Sequence, residues 1–142
     1  MNRERIKLLV DNLIKRYETR NPITLAKDLG ITVQIGELKN FSGCHLKIHD
    51  RKFIYVNEKL EERKALEVVA HELGHCLLHD GDFYFFSFGK AVYENVAEKE
   101  AYIFSSELLI PDNVILDNPN FTQEQLSMLT GFSQKLIEFK QL

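Results

Sequence analysis

His71-Glu72-Leu73-Gly74-His75 puts two imidazoles and a carboxylate at the spacing of a metal-hydrolase motif, provided the segment is helical. Four residues advance an α-helix by about 400°, one turn plus 40°, and by about 6 Å along its axis, so both histidines point the same way. Two nitrogens at that separation can share one zinc ion at about 2.0–2.1 Å each. Glu72 lies next to His71 around the helix and can reach a water without being a ligand. The pattern therefore points to zinc-dependent hydrolysis, with His71 and His75 as ligands and Glu72 as general base.

Catalytic zinc takes three protein ligands and leaves one position for water, so a third ligand must come from elsewhere. The segment 91–110 offers Glu94, Glu98, Glu100 and Glu107. A helix that delivers a short carboxylate to a neighbouring helix must approach closely, which favours small residues beside the ligand. Glu98 has Ala101 and Ser105 one and two turns on, whereas Glu100 is followed by Ile103, Phe104 and Glu107. Glu98 is the leading candidate, with Glu94 and Glu100 as alternatives. His79 is expected to be a helix-end histidine favoured by the dipole, because it stands about 12 Å along the axis from His71. His45 and His49 read as exposed strand residues, the alternative being a role in holding substrate or stabilising the transition state.

The elements that would position these groups follow from the hydrophobic pattern. Leu66, Val69, Ala70, Leu73 and Leu77 mark the buried stripe of a helix from Leu60 to His79, and a second long helix is expected from about Ala91 to Ile110, ended by Pro111. Upstream, Ile6, Leu9, Val10, Leu13 and Tyr17 give an amphipathic helix over 4–17. Asn21 and Pro22 open a short helix that Gly30 closes. Ile31, Val33 and Ile35 alternate as a half-buried strand, and a hairpin follows. Its first strand sets Cys44, Leu46 and Ile48 against His45, Lys47 and His49; Asp50-Arg51 turns, and Lys52 to Val56 returns. The strand 52–57 is a candidate edge for an extended substrate. Thr122 and Gln125 form a capping box that opens a helical hairpin broken near Gly131, while Pro111 to Phe121 reads as a loop. The run Phe83-Tyr84-Phe85-Phe86-Ser87-Phe88 is either core or a wall beside the metal.

These elements, in 142 residues with no linker or repeat, predict one α+β domain: N-terminal helices 1–30, a sheet 31–57, catalytic helices 60–110 and a helical tail 121–142. A chain of this size buries enough surface to fold without a metal, so a metal here would be suspected of doing chemistry. With 18 Lys+Arg against 21 Asp+Glu the chain lacks the basic footprint of a nucleic-acid binder, and the tail offers only Lys135 and Lys140 for such a role. The charged N-terminus has no apolar core of a signal peptide, and Cys44 and Cys76 suit free thiols in a reducing compartment; a cytoplasmic location is expected, with no membrane partner.

The chain resembles the ImmA/IrrE-type zinc metalloproteases, often carried by phages and integrative elements. The resemblance rests on Ile54-Tyr55-Val56-Asn57, on Val69-Ala70-His71-Glu72-Leu73-Gly74-His75, and on the block from Glu98 to Pro111, in the family's order and spacing. It is strongest over 53–111 and looser over the rest of 20–140. Tyr102 stands where the family often has Asn, and Ser105 where it often has Ala. The resemblance implies a gluzincin-like fold, a small sheet with a hairpin packed on the H-E-x-x-H helix and on a Glu-bearing helix, with extra helices at both ends. It implies that Glu98 completes the zinc site and that the enzyme is a metallopeptidase. It further implies a protein substrate, typically a helix-turn-helix repressor that is cleaved or inactivated. A reading of another class is a binding module that neutralises a repressor by contact, its zinc structural. An oxyanion donor is expected among Tyr93, Tyr102, His45 and His49.

Overall fold

The computed structural model describes residues 1–79, the backbone of residues 85 and 86, and residues 96–140. Helix α1 (Arg3–Tyr17) starts where the Asn2 side chain accepts from the Arg5 amide, and its stripe buries Ile6 and Val10 against the core. In α2 (Pro22–Asp28) the Asn21 side chain accepts from the amides of Ile23 and Thr24, and Gly30 takes the positive φ that ends the segment. Strand β1 (Thr32–Gly36) leads to a hairpin of β2 (Gly43–Ile48) and β3 (Arg51–Asn57). Its turn is one residue earlier than the sequence reading: His49 and Asp50 are the two loop residues, both with positive φ, as a type I′ turn requires, and Ile48 pairs with Arg51. Then come α3 (Glu62–Leu78), the two-residue β4 (Phe85–Phe86) and α4 (Val96–Leu109). Pro111 to Phe121 holds a short helix, α5 (Asp112–Leu116), where a loop was expected. Helix α6 (Gln123–Thr130) opens on the anticipated capping box of Thr122 and Gln125, Gly131 ends it with φ 80°, and α7 (Gln134–Lys140) follows.

The sheet runs β1-β3-β2-β4, with β1 parallel to β3 and the other pairs antiparallel. This overturns the reading of 52–57 as a substrate edge. From Phe53 to Val56 the strand pairs with β1 on one side and β2 on the other, so it has no backbone groups left to offer a peptide.

Helix α3 is the centre of the molecule. Every residue from Glu67 to Cys76 is buried, because β2 and β3, α2 and α4 all pack on it. Of the buried polar groups this creates, Glu67 accepts the Ser133 amide at 2.7 Å where α7 begins. Leu73, Phe104, Leu108, Ile54 and Val56 fill the space between the layers.

The face that β2 turns to α3 is not the apolar one. Gly43, His45 and Lys47 alternate on one side, and a Cβ at Gly43 would lie 2.5 Å from Val68 Cγ1 on α3 and 2.7 Å from the Tyr55 carbonyl oxygen. The strand can lie this close to the helix only because Gly43 has no side chain. Gly43→Ala is expected to cost about 1–3 kcal/mol in urea unfolding, toward the upper end because one of the colliding atoms is backbone. An unchanged midpoint would refute the close approach. At the other end of the same face Lys52 Nζ donates to the Cys76 carbonyl at 2.7 Å, satisfying the last turn of α3.

Candidate metal centre

Because α3 is continuous through the motif, His71 and His75 lie one turn apart on one side of it, their ring centroids 4.9 Å apart and nearly perpendicular. Helix α4 packs alongside at the level of Gly74, where an added Cβ would stand 3.1–3.2 Å from Phe104 side-chain atoms. Ala101 and Ser105 are fully buried beside this contact. The approach carries Glu98 onto the imidazoles: its Oε1 contacts His71 Nε2 and lies 3.4 Å from His75 Nε2. One candidate ligand atom from each of His71, His75 and Glu98 lies within 4.8 Å of the other two. Two imidazole nitrogens and one carboxylate oxygen converging in this way fit a divalent cation, and these three residues could hold one.

Electrostatics favour the forms that bind a cation. For Glu98 burial acts upward, but hydrogen bonds and charge from His71 and His75 outweigh it and hold the carboxyl far below the usual carboxylate range. His75 is pushed below the ordinary histidine value, first by burial and then by its neighbour His71, against the pull of Glu98 and Glu72. A neutral imidazole beside an ionised carboxylate is the donor set a metal needs.

Two of the other acidic candidates, Glu100 and Glu107, go elsewhere. Glu100 accepts from His79 Nε2 at 2.8 Å, and His79 Nδ1 is 3.0 Å from His75 Nδ1. His79, at the end of α3 as expected, therefore links His75 to Glu100, the kind of outer contact that fixes the orientation of a ligand ring. Glu107 sits in an ion cluster with Arg3, Lys7 and Lys140. Glu94 and Tyr93, and the side chains of the aromatic run 83–88, lie outside the described residues. His71 Nδ1 is buried with no hydrogen-bond partner among the described residues, and the Tyr102 ring packs on that imidazole at 4.4 Å between centroids. Tyr102 is itself stacked on Phe139, with Lys135 Nζ 4.4 Å from its ring centroid, so α7 supports the His71 imidazole through a ring.

His45 corrects the sequence reading. It is 8 % exposed, not a surface strand residue: Nδ1 lies 2.6 Å from Glu72 Oε1, and its ring stacks on His75 at 5.0 Å and 19°. Alternation assigned the apolar set Cys44, Leu46 and Ile48 to the core, but Ile48 is exposed and the opposite face meets α3. The available signal was Gly43, two residues before His45 and so on the same face, as the small residue of a close helix contact. His49 is an exposed turn residue. Cys44 and Cys76 are buried free thiols, raised to about 11 and about 12, mainly by burial and then by the charge of Glu72.

A helix bearing H-E-x-x-H, packed against a Glu-bearing helix over a small mixed sheet, is the arrangement expected of a metallopeptidase domain, and comparison with known proteins agrees. Residues 26–128 match the model of a peptidase family described as the IrrE N-terminal-like domain. The chain is similar to "Uncharacterized immunity region protein 2" of Bacillus phage phi105, 33 % identical over 141 residues, covering 96 % of this chain and 89 % of that protein. It is also similar to "Metallopeptidase ImmA" of Bacillus subtilis (strain 168), 30 % identical over 136 residues, covering 93 % and 75 %. The chain belongs to the IrrE N-terminal-like peptidase family, the ImmA/IrrE group that its sequence blocks resemble. Among the described residues no helix is long and apolar enough to cross a membrane.

Proposed function

We propose that this chain is a zinc-dependent endopeptidase of the cytoplasm that cleaves, and so inactivates, a repressor-type DNA-binding protein of a phage or mobile element. The observation that carries the reading is the convergence of His71, His75 and Glu98 with Glu72 one residue from a ligand on the same buried helix. The names of the two relatives, one from a phage immunity region and one a metallopeptidase, support a peptidase role in phage or mobile-element immunity. In this reading His71, His75 and Glu98 hold the ion, which when bound supplies Lewis acidity, making a water acidic near neutral pH and polarising a peptide carbonyl.

The chain's own residues do the remaining work. Glu72 takes the proton of the attacking water and passes it to the leaving amine nitrogen. Its carboxylate is wholly buried, so the transfer takes place out of bulk solvent, where hydrogen bonds and charges act at short range with little screening. His79 and the Tyr102 ring keep the two imidazoles turned toward Glu98.

The test is co-incubation with the repressor encoded beside the gene, with zinc or with a chelator, reading fragments by mass. Cleavage is expected with zinc alone. Glu72→Gln should keep metal and fold and lose about 10²–10⁴-fold in rate, the usual contribution of a positioned acid–base group. If repression is still relieved in cells carrying Glu72→Gln, proteolysis is not the biological activity.

A further inference from the structure

The proposed mechanism gives His45 no role. It is a buried imidazole on a strand, in contact at once with the proposed general base and with a proposed ligand. We propose that His45 is a positioning residue: Nδ1–H donates to Glu72 Oε1 and fixes the carboxylate in the orientation that proton transfer requires. The proposal rests on the peptidase reading of Glu72.

Three observations support it. The contact is short, 2.6 Å, and the carboxylate it meets is 0 % exposed, so the hydrogen bond is direct and little screened by solvent. The imidazole is carried by the backbone of the sheet: His45 pairs with Ile54 of the central strand, and the two-residue turn fixes the register of the hairpin. Its face lies flat on the His75 ring, so one rigid group sets where the Glu72 carboxylate sits relative to His75. A glutamate side chain has three rotatable bonds, and an anchor of this kind selects one arrangement of them before substrate arrives.

The test uses acetohydroxamic acid as probe. A hydroxamic acid binds a zinc site as its anion and gives its proton to the neighbouring carboxylate, so its affinity reports the placement of Glu72 without any peptide substrate. Three variants separate donor from bulk. His45→Leu removes the donor; His45→Gln keeps an amide but moves it one bond outward; His45→Asn puts an amide nitrogen where Nδ1 stood. Calorimetric binding of the probe to the zinc-loaded proteins is expected to weaken by about 10–100-fold for Leu and Gln, the scale on which outer contacts of metal sites act, and to recover within a few-fold for Asn. Zinc affinity, read by chelator competition, should stay within a few-fold throughout. The proposal is overturned if Leu and Gln bind the probe like the wild type, if Asn is no better than they are, or if zinc affinity falls as far as probe affinity, which would make His45 packing for His75. Equal binding of the probe to wild type and to Glu72→Gln would instead overturn the peptidase reading itself.

Discussion

Glu98→Gln is expected to lower zinc affinity by more than the roughly 100-fold that marks the loss of a contact outside the ligand shell, and to abolish peptide cleavage. The reason is geometric and electrostatic. Glu98 Oε1 faces Nε2 of both His71 and His75, and its ionised form sets the charge that a dication meets. Glutamine keeps the shape and presents a neutral carbonyl oxygen. Glu100→Gln, by contrast, leaves the three converging groups intact and should alter affinity by at most the outer-contact amount. Thermal unfolding with and without the ion gives an independent reading. At a zinc concentration 100 times Kd the wild type gains about 2.7 kcal/mol, and Glu98→Gln should gain little at the same concentration. The metal-free variant should also be somewhat less stable at neutral pH. A carboxyl held below its unfolded value contributes stability above that value and loses it only as pH falls through the folded one, so Gln forgoes at pH 7 what Glu98 supplies. If Glu98→Gln bound zinc like the wild type while Glu100→Gln did not, the ligand assignment would pass to Glu100.

The legible part of this molecule was the part governed by local periodicity. The stripes of α1 and α3, the Asn21-Pro22 start of α2 and the Thr122 box each follow from residues within a few positions of one another, and each stands in the structure. The motif spacing and the small residues near Glu98 sufficed to bring His71, His75 and Glu98 together on paper, because helix geometry fixes where i and i+4 point. What escaped depends on which face of an element meets which neighbour. Alternation in β2 has two faces and says nothing of which one α3 covers; the apolar face was the natural choice, and His45, with its contact to Glu72, lies on the other. The parallel pairing of β1 with β3 joins residues some twenty positions apart and removed the supposed substrate edge. Lys140 looked like a surface base, and only the meeting of four helices shows why it is buried.

That meeting supplies the largest expected loss of stability. Lys140, 7 % exposed at the end of α7, places Nζ 2.7 Å from Glu107 Oε1 and 2.5 Å from Asp112 Oδ1. Arg3 Nη2 lies 2.8 Å from Glu107 Oε2 and donates to the Lys140 carbonyl at 3.1 Å, and Lys7 bridges Glu107 and Asp112. The cluster ties α1, α4, α5 and α7 together. Glu107→Ala leaves the buried Lys140 ammonium to the half-exposed Asp112 and the Arg3 guanidinium to the Lys140 carbonyl, and is expected to cost about 5 kcal/mol. Lys140→Ala leaves Glu107 its partners Arg3 and Lys7 and should cost about 3 kcal/mol. The order matters as much as the size, because two solvated surface pairs would each cost under about 1 kcal/mol. Acid gives a further check. Hydrogen bonds from Lys140 and then Lys7 hold Asp112 down at about 2, so its contribution is complete above the ordinary aspartate range and disappears as pH falls toward 2. Asp112 is half exposed, so solvent screens the effect to about 1 kcal/mol or less, and in Lys140→Ala most of it should be gone. The loss also reaches the metal centre. Phe139 and Lys135 of the same helix hold the Tyr102 ring that packs on His71, so Lys140→Ala should weaken zinc binding even where the protein remains folded. If zinc affinity is unchanged in the folded variant, α7 secures the fold alone and has no part in orienting His71.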